Sequence, residues 1–132
     1  MRDKPDGAVL LDLARAVLAE ELLAELPESA RYRARMVANA MAIAAREISG
    51  GKRTQEAERD ALAALYDEAP TPAGRADTEE LDEALTRLNW WLAAEIRAGR
   101  RDGDARVHAL LQESVRGRLR LANPKALPNK YQ

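Results

Sequence analysis

Seven polar side chains stand where helical spacing would place apolar ones: Glu21, Asn39, Arg46, Glu47, Glu58, Glu95 and Arg118 all fall in or beside apolar stripes. A buried amide costs about 1–3 kcal/mol unless it is hydrogen-bonded, and a buried charge costs more unless it is paired. If these groups converge, two arginines can pair with several carboxylates in one polar layer that specifies register and helix order. If the layer borders a cleft, the same groups orient a small polar ligand or a reaction on one. Both readings stay open at this stage, with architecture the simpler.

Other chemistry has less support. There is one histidine, His108, followed by Glu113 in the wrong order and spacing for the Glu-x-x-His pairs of a carboxylate-bridged metal bundle. Zinc spacings fail for lack of ligands. No cysteine exists to act as nucleophile, and Ser29, Ser49 and Ser114 lie outside any nucleophile elbow. Ser49-Gly-Gly-Lys-Arg-Thr54 lacks the first glycine of a phosphate loop and has Arg53 where a hydroxyl residue belongs. We therefore assign no catalytic, cofactor-binding or metal-binding residue and expect no cofactor.

The elements that must position these groups are helices. The central one, around Arg35–Ser49, presents Tyr32, Met36, Ala40 and Ile43 as one stripe, with Asn39 at its edge and Glu47 within it. Before it, Asp6 caps a helix that runs to Leu26 and stops at Pro27. The central helix restarts near Ser29 and is expected to end at Ser49-Gly50-Gly51, a left-handed C-cap. A short third helix spans Thr54–Asp67, and the prolines of Glu68–Ala76 form a long loop. Asp77-Thr-Glu-Glu80 has capping-box spacing and opens a helix with a clean leucine stripe, Leu81 to Ile96. Asp104 caps the last helix, which ends at Asn123-Pro124 before an extended tail, residues 123–132. The expected fold is all-α, a mostly antiparallel bundle of four or five helices in a single domain, residues 1–132.

Composition sets further bounds. Absent phenylalanine and 4% aromatic residues leave the core to leucine, alanine, valine and isoleucine. Lack of cysteine fits a reducing compartment, and the interrupted apolar runs offer neither signal peptide nor membrane span, so a cytoplasmic location is expected. Residues 1–96 carry 12 Lys/Arg against 19 Asp/Glu, net −7, and residues 97–132 carry 9 against 3, net +6. That basic end comes without aromatic interleaving or a nucleic-acid motif, so no nucleic-acid partner is expected. Trp90 and Trp91 point about 100° apart and cannot share one core. Trp91 borders the leucine stripe and Trp90 lies opposite it, which suggests contact with a further helix or another subunit; a homo-oligomer, a dimer by preference, is expected.

The opening Asp3-Lys-Pro-Asp-Gly-Ala-Val-Leu-Leu, the central Met36-Val-Ala-Asn-Ala-Met-Ala-Ile-Ala-Ala-Arg-Glu, the Ile96-Arg-Ala-Gly99 turn and the closing Leu121-Ala-Asn-Pro124 resemble a family of short bacterial proteins classed as a domain of unknown function. The resemblance implies genes encoded beside acyl-CoA dehydrogenases and kinases resembling aminoglycoside phosphotransferases, hence a partner of either kind or a link to acyl-CoA metabolism. It carries no catalytic residue to this chain.

Overall fold

A carboxylate begins the first helix: Asp6 Oδ1 accepts the Val9 backbone N–H at 3.1 Å and satisfies one of the orphan donors of α1 (Gly7–Ala16). The computed structural model describes residues 5–67 and 78–129 of the chain. After α1 the backbone widens into a π-helical stretch, Val17–Leu22, and one last α-turn, α2 (Leu23–Glu25), before Leu26 turns extended ahead of Pro27. Two residues then suffice to reverse the chain into α3 (Glu28–Arg46). Arg31 fastens this corner, donating to the carbonyls of Leu26 at 3.0 Å and Ala24 at 3.2 Å, which the ending helix leaves without helical partners.

The expected helix end at Ser49–Gly51 is not there. A second π-helical stretch, Glu47–Gly51, passes straight into α4 (Lys52–Ala64), so the backbone stays helical from Glu28 to Ala64. Glycine permits a left-handed residue without requiring one, and among the described glycines only Gly99 and Gly103 take positive φ. The left-handed residue after α4 is Asp67, with φ 54°. Then come α5 (Thr78–Arg97) and α6 (Ala105–Ala122), joined by a turn that Gly99 and Gly103 make with φ of 71° and 73°. The expected loop over Glu68–Ala76 and the Asp77 cap lie outside the described residues.

All regular structure among the described residues is helical, in four long runs and a short 3₁₀ turn, and no strand occurs among them. The chain divides into two compact units, Met1–Gly51 with Leu121–Asn123, and Lys52–Arg120 with Pro124–Gln132. In the first unit α1 packs on α3, antiparallel because of the short link, and the apolar residues buried there are alanines: Ala8, Ala34, Ala38 and Ala45. Small side chains let two helix backbones come close, at the expense of leaving the larger ones outside.

The second unit has a conventional core. Leu62 and Ala63 of α4, Leu88 and Leu92 of α5 and Val107 of α6 form one cluster, with Leu65, Tyr66, Leu85 and Leu110 packed on it. Each fully buried leucine contributes about 1.5–3 kcal/mol. Gly117 lets α6 approach α4, since a Cβ there would lie 3.0 Å from Thr54 Cγ2. The tail is not simply extended: Pro124–Ala126 forms a 3₁₀ turn and Leu127 is buried.

Candidate functional site

The densest polar network of the second unit gathers at the α5–α6 turn. Glu95, in the last turns of α5, receives Arg101 Nε at 2.6 Å and the Tyr66 hydroxyl at 3.1 Å on the same oxygen, Oε2. Arg101 also reaches Asp104 Oδ2 at 3.3 Å, and its guanidinium lies 5.7 Å from the Tyr66 ring centre. Asp104 is at once the cap of α6, accepting the backbone N–H groups of Arg106 at 2.9 Å and Val107 at 3.4 Å. Arg101 thus ties the end of one helix to the beginning of the next.

The charges follow this geometry. The hydrogen bond from Arg101 holds the Glu95 carboxyl below the usual carboxylate range, and Glu95 in return pushes the Arg101 guanidinium up. Burial, then the Glu95 hydrogen bond, raises the Tyr66 hydroxyl. For Asp104 desolvation works upward but is outweighed by the N–H groups it caps and by the neighbouring arginines, so its carboxyl falls. Beside the network an open recess of about 450 Å³ is lined by Ile96, Arg101, Asp104, His108 and Leu111 among others. His108 shares a hydrogen bond with Gln112 at 2.9 Å.

Of the seven polar residues singled out by sequence, two are directly paired. Arg118 Nη2 lies 2.9 Å from Glu58 Oε1, which also accepts the Ser114 hydroxyl at 2.8 Å. Glu95 has the partners just described, and Arg46 Nε donates to the Leu121 carbonyl at 2.5 Å, satisfying a helix C-terminal oxygen. Glu21, Asn39 and Glu47 are exposed, as is Arg118. Four exposed members mean that the seven do not form one buried layer; Asn39 and Glu47 are exposed because the Tyr32, Met36 and Ala40 stripe itself faces outward, the buried side of α3 being Ala34, Ala38 and Ala45. The Glu47 carboxylate lies over Gly51, 2.5 Å from where a Cβ would stand.

Two partners of Glu95 were not legible as such: Tyr66 read as one more apolar residue on the third helix beside Leu62 and Leu65, and Arg101 sits in a turn, where no periodicity marks a residue's side. Arg59 is 6% exposed, with Nη2 2.9 Å from Asp60 Oδ1 but off the line a hydrogen bond needs, and Glu56 Oε1 is buried without a hydrogen bond. Its signal was available, because Glu56, Arg59 and Ala63 share one face of α4.

The tryptophans part as their spacing requires. Trp91 packs edge-on to Tyr66 at 5.6 Å and carries Arg87 4.7 Å above its ring. Trp90 is 66% exposed on a shallow face of α5 shared with Glu79, Asp82, Glu83 and Thr86. In the first unit Val9, Leu10, Leu13 and Val17 of α1 and Tyr32, Met36 and Val37 of α3 are also exposed.

Fold and site together define an all-helical protein with an ion-paired interhelical turn and several uncovered apolar helix faces. Residues 24–126 match the domain of unknown function DUF6285, and the chain belongs to that family. The match starts after α1, so the opening residues quoted for the resemblance lie outside it. No curated protein and no solved structure matched the chain.

Proposed function

We propose that this DUF6285 protein is a non-catalytic interaction module of the bacterial cytoplasm that associates with itself. One observation carries the reading: the first unit buries alanines while its large apolar side chains point outward, Leu10 at 53%, Leu13 at 56% and Tyr32 at 70% exposure. Contiguous exposed apolar surface on a small domain marks an interaction site. Among the described residues no helix is long and apolar enough to cross a membrane, so lipid does not account for those faces as a transmembrane solvent would. The charges at Glu95, Arg101 and Asp104 are engaged with one another, one guanidinium bridging two carboxylates, and hold a turn, which suits architecture better than reactivity.

The resemblance to proteins encoded beside acyl-CoA dehydrogenases and phosphotransferase-like kinases supplies the second class of partner, with Trp90 as a contact. Sedimentation of the purified chain, together with co-purification against the tagged products of neighbouring genes, tests the module directly. A strictly monomeric chain that retains neither neighbour removes the proposal.

A second reading rests on the recess beside Arg101 and His108, which has the size of a small-ligand site. A thermal-shift screen with acidic metabolites tests it, because a ligand at 100 times its Kd stabilises by about 2.7 kcal/mol.

A further inference from the structure

We propose that the outward face of α3 is a self-complementary dimer surface, on which a second copy of this chain lies antiparallel. The inference rests on the self-association proposed above and names its surface. At 100° per residue Tyr32, Met36, Ala40 and Ile43 of α3 and Glu47, the helical residue that follows its end, fall on one stripe, with Asn39 and Arg33 at its two edges, on the side opposite the buried Ala34, Ala38 and Ala45. Tyr32 is 70% and Met36 54% exposed, and Arg33, Asn39, Ala40 and Glu47 are exposed as well. Within the described residues no hydrogen bond or ion pair engages the side chains of Arg33, Asn39 or Glu47.

The stripe reads alike in both directions. Position 32 corresponds to 47, 36 to 43 and 39 to 40, each pair summing to 79. A two-fold axis running between the paired helices, level with the midpoint of residues 39 and 40, therefore sets Tyr32 of one copy against Glu47 of the other and Met36 against Ile43, twice over. This is the reciprocity an isologous interface demands. Ala40 keeps the crossing point small enough for close approach.

The same axis brings like edges of the two helices together. On one edge Arg33 stands beside the second copy's Glu47, an opposite-charge pair repeated by symmetry. On the other, Asn39 meets its own counterpart, and a carboxamide can both donate to and accept from an identical group. The polar residues that interrupt this apolar stripe without partners in their own chain thus acquire them in the second copy. From Tyr32 to Glu47 the strip is about 24 Å long and about 10 Å wide. Such a footprint, roughly 240 Å² a side, is well below the roughly 800 Å² per partner of a standard interface, so the face makes a weak dimer whose register is set by symmetry and charge, with a Kd expected in the upper micromolar range.

The chain contains no cysteine, so Asn39→Cys introduces a single thiol beside the axis. A short bismaleimide is expected to join two copies of that variant and to leave Asp82→Cys, on α5, monomeric. In sedimentation velocity, Arg33→Glu and Glu47→Arg alone each raise the dimer Kd roughly 5- to 10-fold by opposing like charges. The double variant R33E/E47R returns it to within about 2-fold, since the exchanged pair restores the attraction. Circular dichroism confirms equal helix content in all four. Unchanged Kd in the single reversals, no recovery in the double, or cross-linking through Asp82→Cys in place of Asn39→Cys overturns the α3 surface while self-association stands. A chain that stays monomeric at about 0.5 mM, where an upper-micromolar Kd leaves a large share of it dimeric, overturns both.

Discussion

Glu95 shows how one carboxylate is committed by its neighbours. Its folded acidity is strengthened chiefly by the Arg101 hydrogen bond, so the folded chain binds this proton less readily than the unfolded chain does. The stabilisation is therefore present above the ordinary carboxylate range and fades as pH falls through the lowered folded value. Melting temperatures of the wild type and Glu95→Gln should differ most near neutral pH and converge as pH falls below the ordinary carboxylate range; a constant difference would mean that the charge on Glu95 is irrelevant. Packing acts on a larger scale at Leu88, which is 0% exposed. Leu88→Ala should cost about 2–5 kcal/mol in chemical denaturation. That Glu58 and Glu95 needed partners was legible from their places in apolar stripes. Which partners they took was not: Tyr66 read as one more apolar residue of its helix, and Arg101 lies in a turn, where side-chain direction depends on the φ of Gly99 and no repeat encodes it.

Helix boundaries divide into those set by side-chain chemistry and those left to context. Asp6 and Asp104 cap, and Pro27 stops, wherever they are placed, because a carboxylate that accepts N–H groups and a ring without a donor act locally. Asp6→Ala should lower stability by about 1 kcal/mol, read from the shift of the urea midpoint. Gly50 and Gly51 were ambiguous, since glycine fits helix and left-handed cap alike, and a π-helical turn absorbed them with the Glu47 side chain laid over Gly51. Gly117 is fixed differently, by the 3.0 Å that a Cβ would leave to Thr54. Gly117→Leu should destabilise by about 1–3 kcal/mol through overpacking, whereas Leu13→Gln, on an exposed face, should stay within about 0.5 kcal/mol. The all-α class was readable because leucine, alanine and charge recur at helical spacing from end to end; the alanine-lined hairpin was not, because periodicity shows that a stripe is apolar and leaves open whether the chain itself covers it.

Across the whole molecule the two units differ in kind. One encloses leucine, alanine and valine from three helices; the other is a hairpin that buries alanine and exposes leucine, valine, methionine and tyrosine. Only the second unit encloses a core of large apolar side chains, and even there Trp90, Ile96, Leu111 and Val115 stay exposed. The family match over residues 24–126 includes α3 and its outward stripe, so the face argued to pair with itself belongs to the matched region. Light scattering across a concentration series tests the central claim most directly. The weight-average mass is predicted to rise from near 14.6 kDa toward twice that value as concentration passes through the upper micromolar range, and to do so less readily in Glu47→Arg. A mass that holds at 14.6 kDa throughout would contradict it.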